Sequence, residues 1–147
     1  MPKYAFDTNV YVDSLRNAKA AEGLKRFLAT NLPRTYLLAV VVQELRAGAR
    51  TEEQINALDS GVLTPFEIRN RILSPSPKAF KESGRILAEL ATQDGIVISK
   101  YGASLANDTL IAASCREAGI TLLTSDSDFD LIAPHIRGFR HIPPGFP

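Results

Sequence analysis

The feature that most constrains the fold is the alternation of short apolar runs with longer segments of helical spacing. Such runs recur along the whole chain, and most are separated by segments with apolar residues three and four positions apart. The predicted strands cover residues 3–6, 36–39, 72–74, 120–124 and 139–142. Strands separated by helices predict an α/β fold with a mainly parallel sheet and helices on both faces.

End signals in the sequence predict where several helices begin and end. Thr51 and Gln54 fit a capping box, and Ser76 followed by Pro77 fits an N-cap and first helical turn. Gly119 is a typical helix stop. The predicted helices cover residues 20–30, 41–49, 51–58, 77–94 and 105–118.

Composition predicts one globular domain spanning residues 1–147. The 147 residues are 45% hydrophobic and 22% charged, and the net charge of +1 neither indicates nor excludes a nucleic-acid partner. Cys115 is the only cysteine, and its apolar neighbours predict a core residue. The longest apolar run, residues 37–42, is far shorter than the roughly 20 residues of a membrane span. No secretory leader precedes Tyr4, so we expect a cytoplasmic protein without membrane contact.

Four acidic residues occupy positions where carboxylates are costly. Asp7 and Asp126 directly follow predicted strands, and ligand sites of parallel sheets lie beyond the carboxyl ends of the strands. Glu44 and Asp108 each share a helical stripe with apolar residues, so both should point inward. The pattern therefore predicts that the four acids converge at one edge of the sheet.

A convergent set of carboxylates requires a counter-charge. At ~4 Å, two like charges repel by about 4 kcal/mol at an effective dielectric constant of 20. A divalent cation removes this penalty, and a set of oxygen ligands favours Mg²⁺ or Mn²⁺. Such an ion activates water and neutralises charge on a phosphoryl group, which indicates phosphodiester hydrolysis.

Two of these acids have ordinary structural alternatives that the sequence leaves open. Asp7 alone also fits an Asx turn or the cap of a helix that begins near Val10. Glu44 also fits an ion pair with Arg46 or Arg50 on a solvated helix face.

The other acids have similar alternatives. Asn107 and Asp108 fit helix caps, while Asp126 and Asp128 fit caps of a helix that contains Phe129. The joint pattern favours a functional site, because separate explanations would otherwise have to coincide at four positions.

The blocks around these acids resemble the PIN-domain ribonucleases, and within them the VapC-type toxins of toxin–antitoxin pairs. The matching blocks, in order, are Phe-Asp-Thr-Asn-Val at 6–10, Val-Gln-Glu-Leu at 42–45 with Gly48, Asn-Asp-Thr-Leu-Ile-Ala-Ala at 107–113, and Leu-Thr-Ser-Asp-Ser-Asp-Phe at 123–129. Together they span nearly the whole chain, and residues 59–75 match no motif.

The resemblance implies an Mg²⁺- or Mn²⁺-dependent endoribonuclease on a three-layer α/β/α sandwich. It also implies a homodimer that is inhibited by a small, DNA-binding VapB-type antitoxin whose tail covers the acidic site. The implied metal-site and catalytic acids are Asp7, Glu44, Asp108 and Asp126. Asp128 would be a secondary acid, and Thr8 or Asn9 would orient Asp7.

Two other functions remain open from the sequence. An aspartyl-phosphate phosphotransfer enzyme also begins with a strand, Asp and Thr, but it requires a second acid where this chain has Asn9. A noncatalytic PIN-like module that binds RNA or protein would have no use for clustered acids without a metal.

Overall fold

The computed structural model describes residues 1–145 and contains a five-stranded parallel sheet. The strands lie in the order β3-β2-β1-β4-β5, and every neighbouring pair is parallel. Their bounds are β1 Lys3–Phe6, β2 Thr35–Leu38, β3 Ile72–Leu73, β4 Ile120–Leu123 and β5 Arg140–Ile142. The predicted mainly parallel sheet is therefore confirmed, with strand ends shifted by at most one residue.

Eight α-helices connect and cover these strands in the described part of the chain. They are α1 Thr8–Arg16, α2 Ala18–Asn31, α3 Ala39–Gly48, α4 Glu52–Leu58, α5 Thr64–Glu67, α6 Pro77–Gln93, α7 Ser104–Ala118 and α8 Asp128–Ile132. The capping box of Thr51 with Gln54 and the N-cap Ser76 are both formed. Gly119 ends α7 in the left-handed conformation, at φ 67°.

The helices lie on both faces of the sheet. The connections from β1 to β2 and from β2 to β3 step one way across the sheet, and the later two step the other way. Because parallel crossovers are right-handed, α1 to α5 cover one face and α6 to α8 the other. Contacts among α1, α2 and α3, and among α6, α7 and α8, agree with this division. The result is the predicted three-layer α/β/α sandwich.

The core fills both layers between sheet and helices. On the α2 side, Phe6 packs edge-on against Tyr11 and Phe27. Cys115 is fully buried, as its apolar neighbours predicted, and burial raises the pKa of its thiol. Among residues 1–145, no helix has both the length and the hydropathy needed to span a membrane.

Two segments were poorly readable from the sequence, for identifiable reasons. After α4 the chain continues through a π-helical turn, Asp59–Leu63, directly into the short α5. Because a π-helical turn has more residues than an α-helical turn, the spacing of apolar residues changes within this continuous helical segment. Residues 95–102, whose short apolar run at 96–98 fits either a loop or a short strand, form a loop with a 3-10 turn at Ile98–Tyr101.

Candidate metal centre

Asp7 lies at the carboxyl end of β1 and is 4% exposed. Its backbone amide continues the sheet by donating to the Leu123 carbonyl at 2.9 Å. Its Oδ1 accepts a hydrogen bond from the Thr8 amide at 2.8 Å, so Asp7 is also the N-cap of α1. The cap alternative is therefore realised, and the second carboxylate oxygen of Asp7 still points elsewhere.

Thr124 joins Asp7 to the acids that follow β4. Its hydroxyl donates to Asp7 Oδ2 at 2.8 Å and accepts from the Asp126 amide at 3.0 Å. Thr124 is 5% exposed, so both hydrogen bonds are shielded from water. One buried hydroxyl thus links the acid that follows β1 to the turn that follows β4.

Glu44 is half-buried on α3 and is held by donors from two other helices. Thr8 Oγ1 donates to Glu44 Oε1 at 2.6 Å, and Asn107 Nδ2 donates to Oε2 at 3.4 Å. No ion pair between Glu44 and an arginine occurs in residues 1–145. The carboxylate therefore faces the sheet edge and not a solvated arginine.

Asp108 lies inside α7, one turn after the helix begins, and is 5% exposed. Its Oδ2 is buried and has no hydrogen-bond partner within the described residues. A helix cap would be satisfied by backbone amides, so the cap alternative for Asp108 does not hold. An unpaired buried carboxylate oxygen is costly and indicates a ligand at this point.

Asp108, Asp126 and Asp128 form the tightest group of acids. One carboxylate oxygen from each lies within 4.8 Å of those of the other two. The Asp128 amide donates to Asp126 Oδ1 at 2.9 Å, which fixes the turn that carries both acids into α8. We refer to this triad together with Asp7 and Glu44 as the acidic centre.

The acids of this centre act on one another electrostatically. Burial, followed by the charges of the other four acids, raises the pKa of Asp108 from 3.8 to about 8. Burial also raises the pKa of Asp7, against the opposing effect of hydrogen bonds from Thr124 and Thr8. Burial and the charge of Asp126 raise the pKa of Asp128. Without a counter-charge, the acidic centre therefore retains protons at neutral pH.

The donor set fits a hard divalent cation. The acidic centre offers carboxylate oxygens and neither histidine nor cysteine, which favours Mg²⁺ or Mn²⁺ over zinc. The unpaired Oδ2 of Asp108 is the buried atom that such an ion would satisfy. A groove of about 600 Å³ between α1, α3 and α4 includes Glu44 in its wall.

The structure refines the predicted set of site residues in three ways. Asp128, predicted as secondary, belongs to the tightest triad, whereas Asp7 and Glu44 lie outside it. Thr8 bonds Asp7 through its amide, but its hydroxyl holds Glu44. Asn9 Oδ1 is buried without a hydrogen-bond partner in residues 1–145, and a role for Asn9 in orienting Asp7 stays a prediction.

The sequence did not reveal that Thr124 and Asn107 position the acids. Thr124 is the first polar residue after the apolar β4, a signal that could have marked it. Asn107 precedes Asp108 and was considered only as a cap. Its side chain reaches Glu44 from a position 63 residues away in sequence, which no local pattern reveals.

A protein-family model and several solved structures are similar to this chain. A family model described as PIN domain matches residues 4–133. No curated protein sequence matches the chain significantly.

Several solved structures share the fold. DNA-bound VapBC from Salmonella typhimurium matches with a TM-score of 0.74 and 24% identity, over 98% of this chain and 99% of that one. FitAcB from Neisseria gonorrhoeae matches with a TM-score of 0.68 and 24% identity, over 96% and 97%. A toxin–antitoxin complex from Klebsiella pneumoniae matches with a TM-score of 0.63 and 18% identity, over 97% and 98%. The likeness is one of fold along almost the entire chain.

Proposed function

Because the chain belongs to the PIN domain family, we propose that it is a metal-dependent endoribonuclease and the toxin of a VapBC-type pair. The observation that carries the proposal is the buried, unpaired Oδ2 of Asp108 within a group of three carboxylates. The toxin assignment is supported by the fold shared with the VapBC and toxin–antitoxin complexes.

In this proposal the acids of the acidic centre bind or surround the metal ion, and neighbouring polar residues hold them in place. Asp108, Asp126 and Asp128 would hold an Mg²⁺ or Mn²⁺ ion directly, with Asp7 and Glu44 as further acids beside it. When bound, the ion supplies an activated water and neutralises charge on the phosphoryl group. Thr124 fixes Asp7 against the Asp126 turn, and Thr8 with Asn107 fixes Glu44. Preorganised ligands of this kind lower the cost of binding a strongly hydrated cation.

Burial indicates the side from which RNA would approach. Asp7 and Asp108 are buried, whereas Glu44, Asp126 and Asp128 are half-buried. A phosphodiester therefore reaches the acidic centre from the side of the half-buried acids.

Asp7→Asn tests the proposal through activity. It keeps the size of the side chain and an oxygen for the α1 cap, but it removes one negative charge, so we expect Mn²⁺-dependent cleavage to be lost while the fold remains. The measurement is cleavage of a panel of tRNA, rRNA and mRNA with Mn²⁺ or with chelator.

Asp130→Asn is the matched control for this experiment. Asp130 lies two residues beyond Asp128, outside the acidic centre, and its side chain is 75% exposed. Full activity of Asp7→Asn would refute a catalytic role for Asp7, and cleavage that persists in chelator would refute the metal-dependent mechanism. The VapB-type antitoxin and the homodimer remain predictions, to be tested by co-expression with neighbouring reading frames and by the mass of the protein in solution.

A further inference from the structure

Two cations converge on one aromatic ring at the edge of the sheet opposite the acidic centre. Lys3 Nζ lies 6.0 Å from the centroid of the Tyr36 ring, and the guanidinium carbon of Arg71 lies 5.3 Å from it. Both distances are within the range of cation–π attraction. We refer to Lys3, Tyr36 and Arg71 as the basic patch.

The sheet register explains why these three side chains meet. Ala5 pairs with Tyr36, and Lys3 lies two residues before Ala5, so both point to the same face as Tyr36. Leu37 pairs with Ile72 and its amide donates to the Arg71 carbonyl at 3.0 Å, which brings Arg71 level with Tyr36. The basic patch is therefore built by three strands and does not depend on a mobile loop.

The positive charges of the basic patch are not neutralised by the protein. Neither Lys3 nor Arg71 forms an ion pair with any acid in residues 1–145. Arg34, directly before β2, adds a third cation at this edge, and its guanidinium donates to the neutral side chain of Asn31. An Arg held against a ring keeps its donors oriented, which suits a phosphate.

Cations placed as Lys3 and Arg71 are would help to bind an anionic substrate such as RNA. The acidic centre itself repels a polyanion, so affinity for RNA has to come from cations elsewhere on the surface. Lys3 begins β1 and Asp7 follows its end, so four residues at about 3.3 Å each place the basic patch about 13 Å from the acidic centre. One RNA molecule can therefore contact both edges of the sheet.

We propose that Lys3, Tyr36 and Arg71 form a second contact surface for substrate RNA, which binds phosphates remote from the cleaved bond. This inference rests on the proposed ribonuclease function. It implies that the bound RNA extends over at least the roughly 13 Å between the basic patch and the acidic centre.

The test compares the double variant Lys3→Gln/Arg71→Gln with wild type in RNA binding under chelator. The control is Lys25→Gln/Arg26→Gln, which removes the same two residue types from exposed positions on α2, over the opposite face. The ligand is bulk tRNA, and its binding is measured over a range of salt concentrations. Thermal unfolding of all three proteins verifies that each is folded.

We expect the Lys3→Gln/Arg71→Gln variant to bind tRNA about three- to tenfold more weakly than wild type, with a salt slope smaller by about 0.7 for each lost phosphate contact. The Lys25→Gln/Arg26→Gln control should bind tRNA as wild type does. Equal tRNA affinity in variant and wild type would overturn the inference. Reduced binding of polyglutamate with unchanged binding of tRNA would also overturn it, and would indicate an acidic protein partner.

A different measurement would show that the proposed ribonuclease function is wrong. It appears as an absence of Mn²⁺-dependent cleavage of any RNA by the wild-type protein, whereas the basic patch is assessed by metal-free binding.

Discussion

In the proposed metal centre, the Asp108 carboxyl serves metal binding but lowers the stability of the metal-free fold. Its carboxyl is buried on α7, with an oxygen that no described residue satisfies and four other acids nearby. Replacement by a neutral amide removes the charge without changing the size of the side chain. The metal-free protein should therefore gain stability from a substitution that damages the metal centre.

Asp108→Asn should stabilise the metal-free protein in a pH-dependent way. The pKa of Asp108 is raised from 3.8 to about 8, so its contribution is favourable below the unfolded value and is lost as the pH rises through the folded value. Each pKa unit is worth about 1.4 kcal/mol, and we expect the variant's advantage to grow by more than about 2 kcal/mol between about pH 5 and about pH 9. Denaturant unfolding with chelator at both pH values measures it.

A stability difference between Asp108→Asn and wild type that does not change with pH would contradict this account of the buried carboxyl. Asp59→Asn should be indistinguishable from wild type at both pH values, because Asp59 is exposed and forms no ion pair within residues 1–145.

At the residue scale, the sequence revealed the acids but not the groups that hold them. Asp7, Glu44, Asp108 and Asp126 stand out because each acid interrupts an apolar pattern. Thr8 and Thr124 do not stand out, since a threonine is ordinary at a strand end or in a first helical turn. Their roles come from partners 36 and 117 residues away in sequence, which only the folded chain brings together.

At the scale of elements, the contact between α6 and α7 fixes the helix that carries Asp108. Ser83 and Thr109 are both buried, and their hydroxyl oxygens lie 2.7 Å apart. Thr109 donates its only proton to the Ala106 carbonyl at 2.8 Å, so Ser83 is the donor between the two. This hydrogen bond restrains the rotation of α7 about its own axis at Thr109, the residue next to Asp108.

Ser83→Ala should destabilise the protein by about 1 kcal/mol, because it removes a buried donor without adding apolar contacts. For a chain of this size the melting temperature should fall by about 2–4 °C. Ser60→Ala is a suitable control, since the Ser60 hydroxyl donates to the Asn56 carbonyl on the exposed surface. An unchanged melting temperature for Ser83→Ala would show that the hydroxyl pair contributes nothing to packing.

The elements themselves were largely predictable, because their signals are local. The strands of the sheet, the capping box of α4 and the stop of α7 follow from short patterns. The sequence predicted α1 only as an alternative explanation of Asp7. The break between α4 and α5 is a change of helical register, which periodicity does not reveal.

At the scale of the whole molecule, charge is separated between the two edges of the sheet. The acidic centre lies at the carboxyl ends of the strands, and the basic patch lies at their amino ends. The net charge of +1 conceals this separation, which explains why composition did not indicate a nucleic-acid partner. Convergence of the acids, in contrast, followed from the rule that parallel strands end at one edge.

The central claim is that the acidic centre binds a divalent cation through Asp108. Titration of the wild-type protein with Mn²⁺ by calorimetry at about pH 7, in buffers of different ionisation enthalpy, tests it directly. We predict binding coupled to proton release, because the raised pKa keeps Asp108 protonated until the ion displaces the proton. Asp130→Asn should bind as wild type does, and Asp108→Asn should lose both the binding and the proton release. Wild-type protein that binds no Mn²⁺ at millimolar concentration, or Asp108→Asn that binds as tightly as wild type, would contradict the account.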